Sequence, residues 1–228
     1  FEADAAVALA TPGVTGVAPA VIGRGILQTT ANTQKFVTIK GIDVSREPTV
    51  TGIVQGMRSG SLDALANRGE DVPSGIVLGV DLAAKVGAHV GDRLTVITPE
   101  GPISPTGRMT GRRTFEVVGT FQLGLYELDS SYAFISLPVA VQFLRRQGPD
   151  LMQARVADMF KAPEIGTALG EKFGALYTVE NWTEMNKSLY SALVLEKIAI
   201  SLTIGLVVLV AALNIVASLV LLVMEKSR

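Results

Sequence analysis

The chain has 228 residues, with 20 Lys and Arg against 21 Asp and Glu, a net charge of -1, one histidine and no cysteine. Disulfides and thiolate metal sites are excluded, and a lone histidine cannot build a His-based metal cluster. The near-neutral balance offers no overall basic field for nucleic acid.

Taken in chain order, the segment Glu2–Ala10 (EADAAVALA) suits a short helix, ended by Thr11-Pro12-Gly13. Val14–Thr30 reads as extended, with Gly23 and Gly25 as bulge points. Lys35–Ile42 (KFVTIKGI) alternates apolar and polar residues and is expected to be its hairpin partner. Asp43–Pro73, rich in Gly, Ser, Arg and Asp, reads as loop with a short helix around Leu62–Asn67. A compact unit follows: strand Gly75–Gly79, amphipathic helix Val80–Val86, turn Gly87–Asp92 and strand Arg93–Thr98. Pro99–Arg113 (PEGPISPTGRMTGRR) has three prolines, three glycines and almost no apolar run, so it is expected to leave the sheet as a long exposed hairpin tip. Thr114–Leu123 returns as a strand and Tyr132–Ser136 is another. Pro138–Arg146 is a helix opening on proline. Ala154–Val156, Ala162–Phe173 and Tyr177–Val179 read as strand, helix and strand. From Trp182 a helical pattern runs without a break to the end of the chain. Mixed strands and helices in this order give an α+β fold.

The last element sets the setting of the rest. No charged side chain occurs between Ile198 and Met224. At about 1.5 Å per residue this run is roughly 40 Å long, more than the ~30 Å of a bilayer core, and only a helix satisfies its own backbone in hydrocarbon. Glu196 and Lys197 precede the run, and Glu225, Lys226 and Arg228 follow it. The expected organisation is a polar domain over 1–187 and a membrane-proximal and transmembrane helix over 188–228, with the span at about 198–224. The positive-inside count is nearly balanced and leaves orientation open. A first residue other than methionine, and an end just past the span, suggest a piece of a longer membrane protein.

Three stretches carry a resemblance: VLGVDLAAKVGAHVGDRLTV, TPEGPISPTGRMTGRRTFEVVGTF and LEKIAISLTIGLVVLVAALNIVASLVLLVMEKSR. Together they resemble the lipoprotein-releasing permeases of the LolC/LolE type, within the MacB/FtsX-like group of ABC-transporter permeases. The inserted S-P-T-G-R loop looks like the periplasmic hook of LolC, which holds the lipoprotein carrier LolA; LolE-like subunits lack that extended loop. What the resemblance implies is a MacB-like periplasmic core domain followed by a long helix that becomes a transmembrane span. The domain would lie in the periplasm, between spans one and two of a four-span permease in the bacterial inner membrane. Expected partners are a cytoplasmic ATPase dimer, a second permease subunit, the carrier LolA, the lipoprotein substrate and membrane lipid. The complex would release lipoproteins and pass them to the carrier.

On this reading the hook, at 99–113, is the carrier-binding site, with Pro102, Pro105, Thr106, Gly107, Arg108, Met109 and Arg112 as its residues. Prolines stiffen the loop, so docking orders fewer residues. Three arginines and one glutamate leave it locally positive, and Arg108 can offer forked hydrogen bonds to carboxylates or carbonyls. Pro105 and Met109 offer apolar contact. Where members of the family carry an arginine before the hook and a glutamine after it, this sequence has Thr95 and Arg112. A mobile, solvated tip is the plain alternative from composition alone.

Within the span, Thr203, Asn214 and Ser218 share one side, and Ser201, Gly205 and Ala212 the other. Polar residues in a span face protein or a cavity, and small ones permit close packing. Gly205, Asn214 and Ser218 are therefore expected to line a lipoprotein groove or to pack against a neighbouring span.

Other chemistry is not expected. No Walker A pattern occurs, Gly23-Arg24-Gly25 lacks a third glycine, and no nucleophile–base pair stands out. His89 reads as an exposed turn residue and Asp92 as the group closing that turn. The chain is not expected to be an enzyme or to hold a cofactor or metal; ATP hydrolysis would belong to a separate subunit. A MacB-like efflux pump, an FtsX-like regulator of the cell wall, and a membrane-anchored sensor or binding domain remain alternatives.

Overall fold

A computed structural model describes residues 1–29, 33–66, 72–101, 103–104, 107–108, 110–174 and 177–226; for 103, 104, 107, 108 and 190 it describes the backbone alone. The chain divides into two compact units, Phe1–Lys161 and Ala162–Arg228.

In the first unit, helix α1 (Glu2–Leu9) leads into a long strand, β1 (Val14–Thr29), which turns back as β2 (Gln34–Ile42) in antiparallel register. The stretch expected to be loop holds two short helices, α2 (Glu47–Val50) and α3 (Ile53–Gly56), a strand β3 (Met57–Gly60) and a 3-10 turn over Leu62–Leu65. The 3-10 turn falls where a short helix was expected around Leu62–Asn67, whereas the Gly and Ser content hid α2, α3 and β3, which tertiary contacts hold rather than intrinsic propensity. The compact unit is as expected: β4 (Ser74–Gly79), α4 (Val80–Val86) and β5 (Arg93–Thr98). α4 ends at Gly87 in the left-handed conformation (φ 67), which glycine adopts without a Cβ clash. Asp92 closes the following turn by accepting the His89 N–H at 2.8 Å, and His89 is exposed. A two-residue strand pair, β6 (Ile103–Ser104) and β7 (Gly107–Arg108), precedes β8 (Gly111–Phe121). Then come α5 (Tyr126–Ser131), β9 (Tyr132–Ser136), α6 (Leu137–Phe143), with Pro138 second rather than first in the helix, and β10 (Leu151–Val156).

Six strands close on themselves. β1 pairs with β2, β2 with β9, β9 with β4, β4 with β8, β8 with β5, and β5 returns to β1. Every strand of this ring sends alternate side chains inward: Leu27, Ile39, Ile135, Ile76, Phe115 and Val96 all belong to one buried cluster. Side chains thus fill a small barrel, as its strand number requires. α4 supplies Leu82 and Val86 to the same cluster, and α6 Ala140 and Phe143. The Phe143 ring meets that of Phe115 edge-on at 5.6 Å. A second cluster lies on the outer face, where Val77, Val118, Phe121 and Phe134 pack under Ile53, Leu62 and Leu65. β3 and β10 hang outside the ring, on β8 and β1.

The expected bulges at Gly23 and Gly25 are not there. The β1–β2 register runs unbroken through both, and the irregularity in β1 lies between Val14 and Gly16. These glycines serve close approach instead. A Cβ on Gly25 would lie 2.8 Å from the Ile97 carbonyl oxygen, at the seam where β5 closes the barrel, and one on Gly23 would strike Leu144.

The second unit begins with α7 (Ala162–Phe173), bounded as expected, but Tyr177–Val179 forms no strand. Tyr177 packs its ring on Phe173, 5.0 Å between centroids. A single turn, α8 (Trp182–Met185), carries a complete capping box: the Asn181 side chain accepts from the Thr183 and Glu184 N–H groups, and Glu184 reaches back to Asn181 N–H. The continuous helix expected from Trp182 is interrupted at Asn186 (φ -111, ψ 27). Asn186 Nδ2 donates to the Trp182 carbonyl at 2.9 Å. Such local side-chain bonding competes with the helix ladder. α9 (Lys187–Lys226) then runs for 40 residues, about 60 Å.

Candidate functional site

The ribbon grows out of the barrel seam. β5 and β8 stay paired up to Thr98 opposite Gly111, and beyond that rung Ile103 pairs with Arg108 and Ser104 with Gly107 as a separate two-stranded sheet. Pro105 and Thr106 connect β6 to β7; together with Pro102 and Met109 they lie outside the described residues. Gly107 and Arg108 are thus strand residues of the ribbon. Arg112 is not on it: the residue sits within β8, opposite Ile97, and its Nη2 donates to Gln28 Oε1 at 3.5 Å.

The root of the ribbon is braced. Thr98 is fully buried; its hydroxyl donates to the Arg24 carbonyl (3.3 Å) and accepts the Glu100 N–H (3.2 Å). Arg146 bonds Glu100 Oε1 at 3.2 Å and pairs with Asp150 at 3.4 Å. Arg113 donates to Gln142 Oε1 and Ser74 Oγ, both at 2.9 Å. Burial holds its guanidinium below the ordinary arginine value. Bracing of this kind limits the entropy that the root of the ribbon can lose on docking.

Beside the root lies an outer barrel face that sequence reading missed. One rung across β2, β1, β5 and β8 aligns Phe36, Ile26, Ile97 and Arg112; the next aligns Gln34, Gln28, Thr95 and Thr114. Phe36 is 84% exposed. Its signal was in the alternation of KFVTIK: Val37 and Ile39 mark the inward side, so Phe36 is an aromatic on the outward side. Thr95 and Arg112, the two positions flanking the ribbon in sequence, are neighbours on this face.

The span residues stand on a separate element. α9 is the one helix among the described residues long and apolar enough to cross a membrane, with a mean hydropathy of 3.0 over its most apolar 18 residues. Gly205, Asn214 and Ser218 are all exposed on it. Asn214 and Ser218, one turn apart, share a side, and a Cβ on Gly205 would meet open space. Thr203 satisfies its hydroxyl internally, donating to the Ala199 carbonyl at 2.9 Å. The ribbon residues and the span residues are therefore two candidate sites, one in each unit.

Comparison with known proteins agrees with this architecture. The family model of the MacB-like periplasmic core domain matches residues 1–171. The lipoprotein-releasing system transmembrane protein LolC of Xylella fastidiosa is 30% identical over 97% of this chain and 52% of its own length. Its counterpart from Neisseria meningitidis is 35% identical over 94% of this chain and 51% of its own length. The chain thus spans about half the length of the curated relatives it matches. Among solved structures, the periplasmic region of MacB from Actinobacillus actinomycetemcomitans superposes with a TM-score of 0.50 at 15% identity, covering 83% of this chain and 82% of that one, a likeness of fold. By the family model over three quarters of its residues, and by a fold shared with that region, this chain belongs to the MacB-like periplasmic core domain family.

Proposed function

We propose that this chain is the carrier-docking and first membrane-proximal part of a LolC-type permease, which releases lipoproteins from the inner membrane and passes them to a periplasmic carrier. The observation that carries the reading is the 30–35% identity to LolC proteins along nearly the whole chain. Geometry fits it. A braced ribbon with Arg108 on its second strand stands beside an outer face bearing Phe36 and Arg112. Aromatic and arginine side chains on a rigid base are what an interface hot spot needs. Residues 1–187 would face the periplasm, and α9 would carry the span at about 198–224. A second permease subunit would pack against α9, and a cytoplasmic ATPase dimer would supply the energy of release. The chain's own work is mechanical and binding, not catalytic. A MacB-like fold alone would suit an efflux pump equally. Copurification of the membrane-embedded protein with LolA separates the two. Pro105→Ala combined with Arg108→Glu should abolish capture, and undiminished capture by that variant would remove the ribbon from the docking site.

A further inference from the structure

An ionic cluster is buried on the outer face of the barrel, remote from any role in docking given above. Lys40 leaves β2 on the face opposite Val37 and Ile39 and is 5% exposed. Its Nζ donates to Glu47 Oε1 and to Gln153 Oε1, each at 2.6 Å, and lies 5.6 Å from the Phe134 ring centroid. Glu47, the first residue of α2, is wholly buried. Its Oε1 also accepts from Thr51 Oγ1 at 3.0 Å, while its Oε2 has no hydrogen-bond partner among the described residues.

The register shows what the cluster joins. Lys40 is opposite Ile22 of β1, and Gln153 is opposite Ala18 of the same strand. Lys40 therefore reaches from β2 across β1 to β10. Ala18 and Ala20 lie on that crossed face, both fully buried, and their small side chains leave the ammonium its path.

Burying charge is costly, and an apolar trio of similar volume would hold these elements at least as firmly. What charge adds is discrimination. If β10 slides or lifts, Lys40 loses an acceptor in a dry site, so partial detachment and shifted registers are penalised. β10 needs such a device. It lies outside the closed ring, its side chains are exposed or half-buried, and it is the last strand before the chain passes at Ala162 into the unit that carries α9.

We infer that Lys40, Glu47 and Gln153 form a latch that makes β10 open and close as one cooperative piece, separately from the barrel. Local opening of this kind is an equilibrium with its own free energy, below that of global unfolding. The inference stands on the cluster's geometry and does not depend on the carrier.

Hydrogen exchange of the full chain in lipid nanodiscs tests it, comparing peptides from β10 with peptides from β4 and β8. Gln153→Leu cuts the tie to β10 and leaves the Lys40–Glu47 pair intact. A hydrogen bond to a charged group is lost, so exchange in β10 should rise about ten- to hundredfold, with the β10 amides accelerating together and exchanging faster than β4 and β8 in both parent and variant. The double variant Lys40→Met/Glu47→Leu removes the tie without stranding a charge, and the same pattern is expected. Unchanged protection in β10 overturns the latch. So does a parent in which β10 exchanges only at the opening free energy of β4 and β8, or a variant in which the barrel's protection is lost altogether, since either would make the cluster a plain contributor to global stability.

Discussion

Replacing Lys40 by methionine isolates the energetic character of the buried cluster. Methionine matches the length of the lysine stem but leaves Glu47 wholly buried, with Thr51 as its remaining hydrogen-bond donor. Stranding one member of a buried ion pair costs about 3–5 kcal/mol. Against the roughly 5–15 kcal/mol by which domains are stable, Lys40→Met alone should remove about a fifth or more of the first unit's stability. Lys40→Met/Glu47→Leu should restore part of it, because the desolvation cost of both charges disappears; Gln153 Oε1 still loses its charged donor, worth about 1.5–3 kcal/mol. Trp182, the single tryptophan, lies in the second unit, outside the barrel strands to be monitored. The assay is therefore the exchange free energy of the slowest amides in β4 and β8, which approaches the global value. If Lys40→Met stays within about 1 kcal/mol of the parent, or the double variant is less stable than the single, the charges are not coupled as the geometry requires.

Other outcomes follow from named contacts. Asp129 is 2% exposed and accepts the N–H groups of Leu123 (2.7 Å) and Gly124 (3.0 Å); Asp129→Ala strands both donors and should lower the urea midpoint by an amount worth about 1–3 kcal/mol, with an unchanged m-value. At Asp43, burial pushes the pKa up, but the Ser45 hydroxyl, the Ser45 and Arg46 N–H groups and the Arg46 charge outweigh it and hold the carboxyl below its ordinary value. A depressed folded pKa means stability that is present above about pH 4 and lost as pH falls through the folded value. Asp43→Asn should therefore be less stable than the parent at pH 7, with the gap closing in acid; a gap constant with pH would refute the coupling. In the span, photo-crosslinkers at Gly205 and Asn214 probe opposite sides of α9. One of them should label a lipoprotein acyl chain, and silence from both would remove the groove from the proposal.

Local signals carried the sequence reading a long way, and distant pairings set its limits. Val80–Val86 was legible because an amphipathic turn ends on Gly87, and Ala162–Phe173 because its apolar residues recur at helical spacing. The span was legible from length and hydropathy alone. Closure of the barrel was not, since it depends on β5 pairing with β1 some 70 residues earlier, and no local pattern encodes that partner. Glu47 lay within a stretch read as loop, and nothing near it in sequence reveals Lys40 and Gln153. The helical stretch breaks at Asn186, whose backbone and side chain both bond the Trp182 carbonyl, a break that a proline-free composition does not show. At the candidate site, the reading found the ribbon from its prolines and glycines but placed Arg112 on it. The ladder extends further than the composition suggested, so Arg112 belongs to the barrel face, at the far end of the rung that also holds the unforeseen Phe36.

The ribbon's contact with a soluble carrier is the central claim, and site-specific photo-crosslinking of the membrane-embedded protein tests it most directly. A crosslinker at Ser104, on the first strand of the ribbon, should yield a product with LolA, and one at Val54, on α3, should not. No product from Ser104, or equal yield from both positions, would contradict the account.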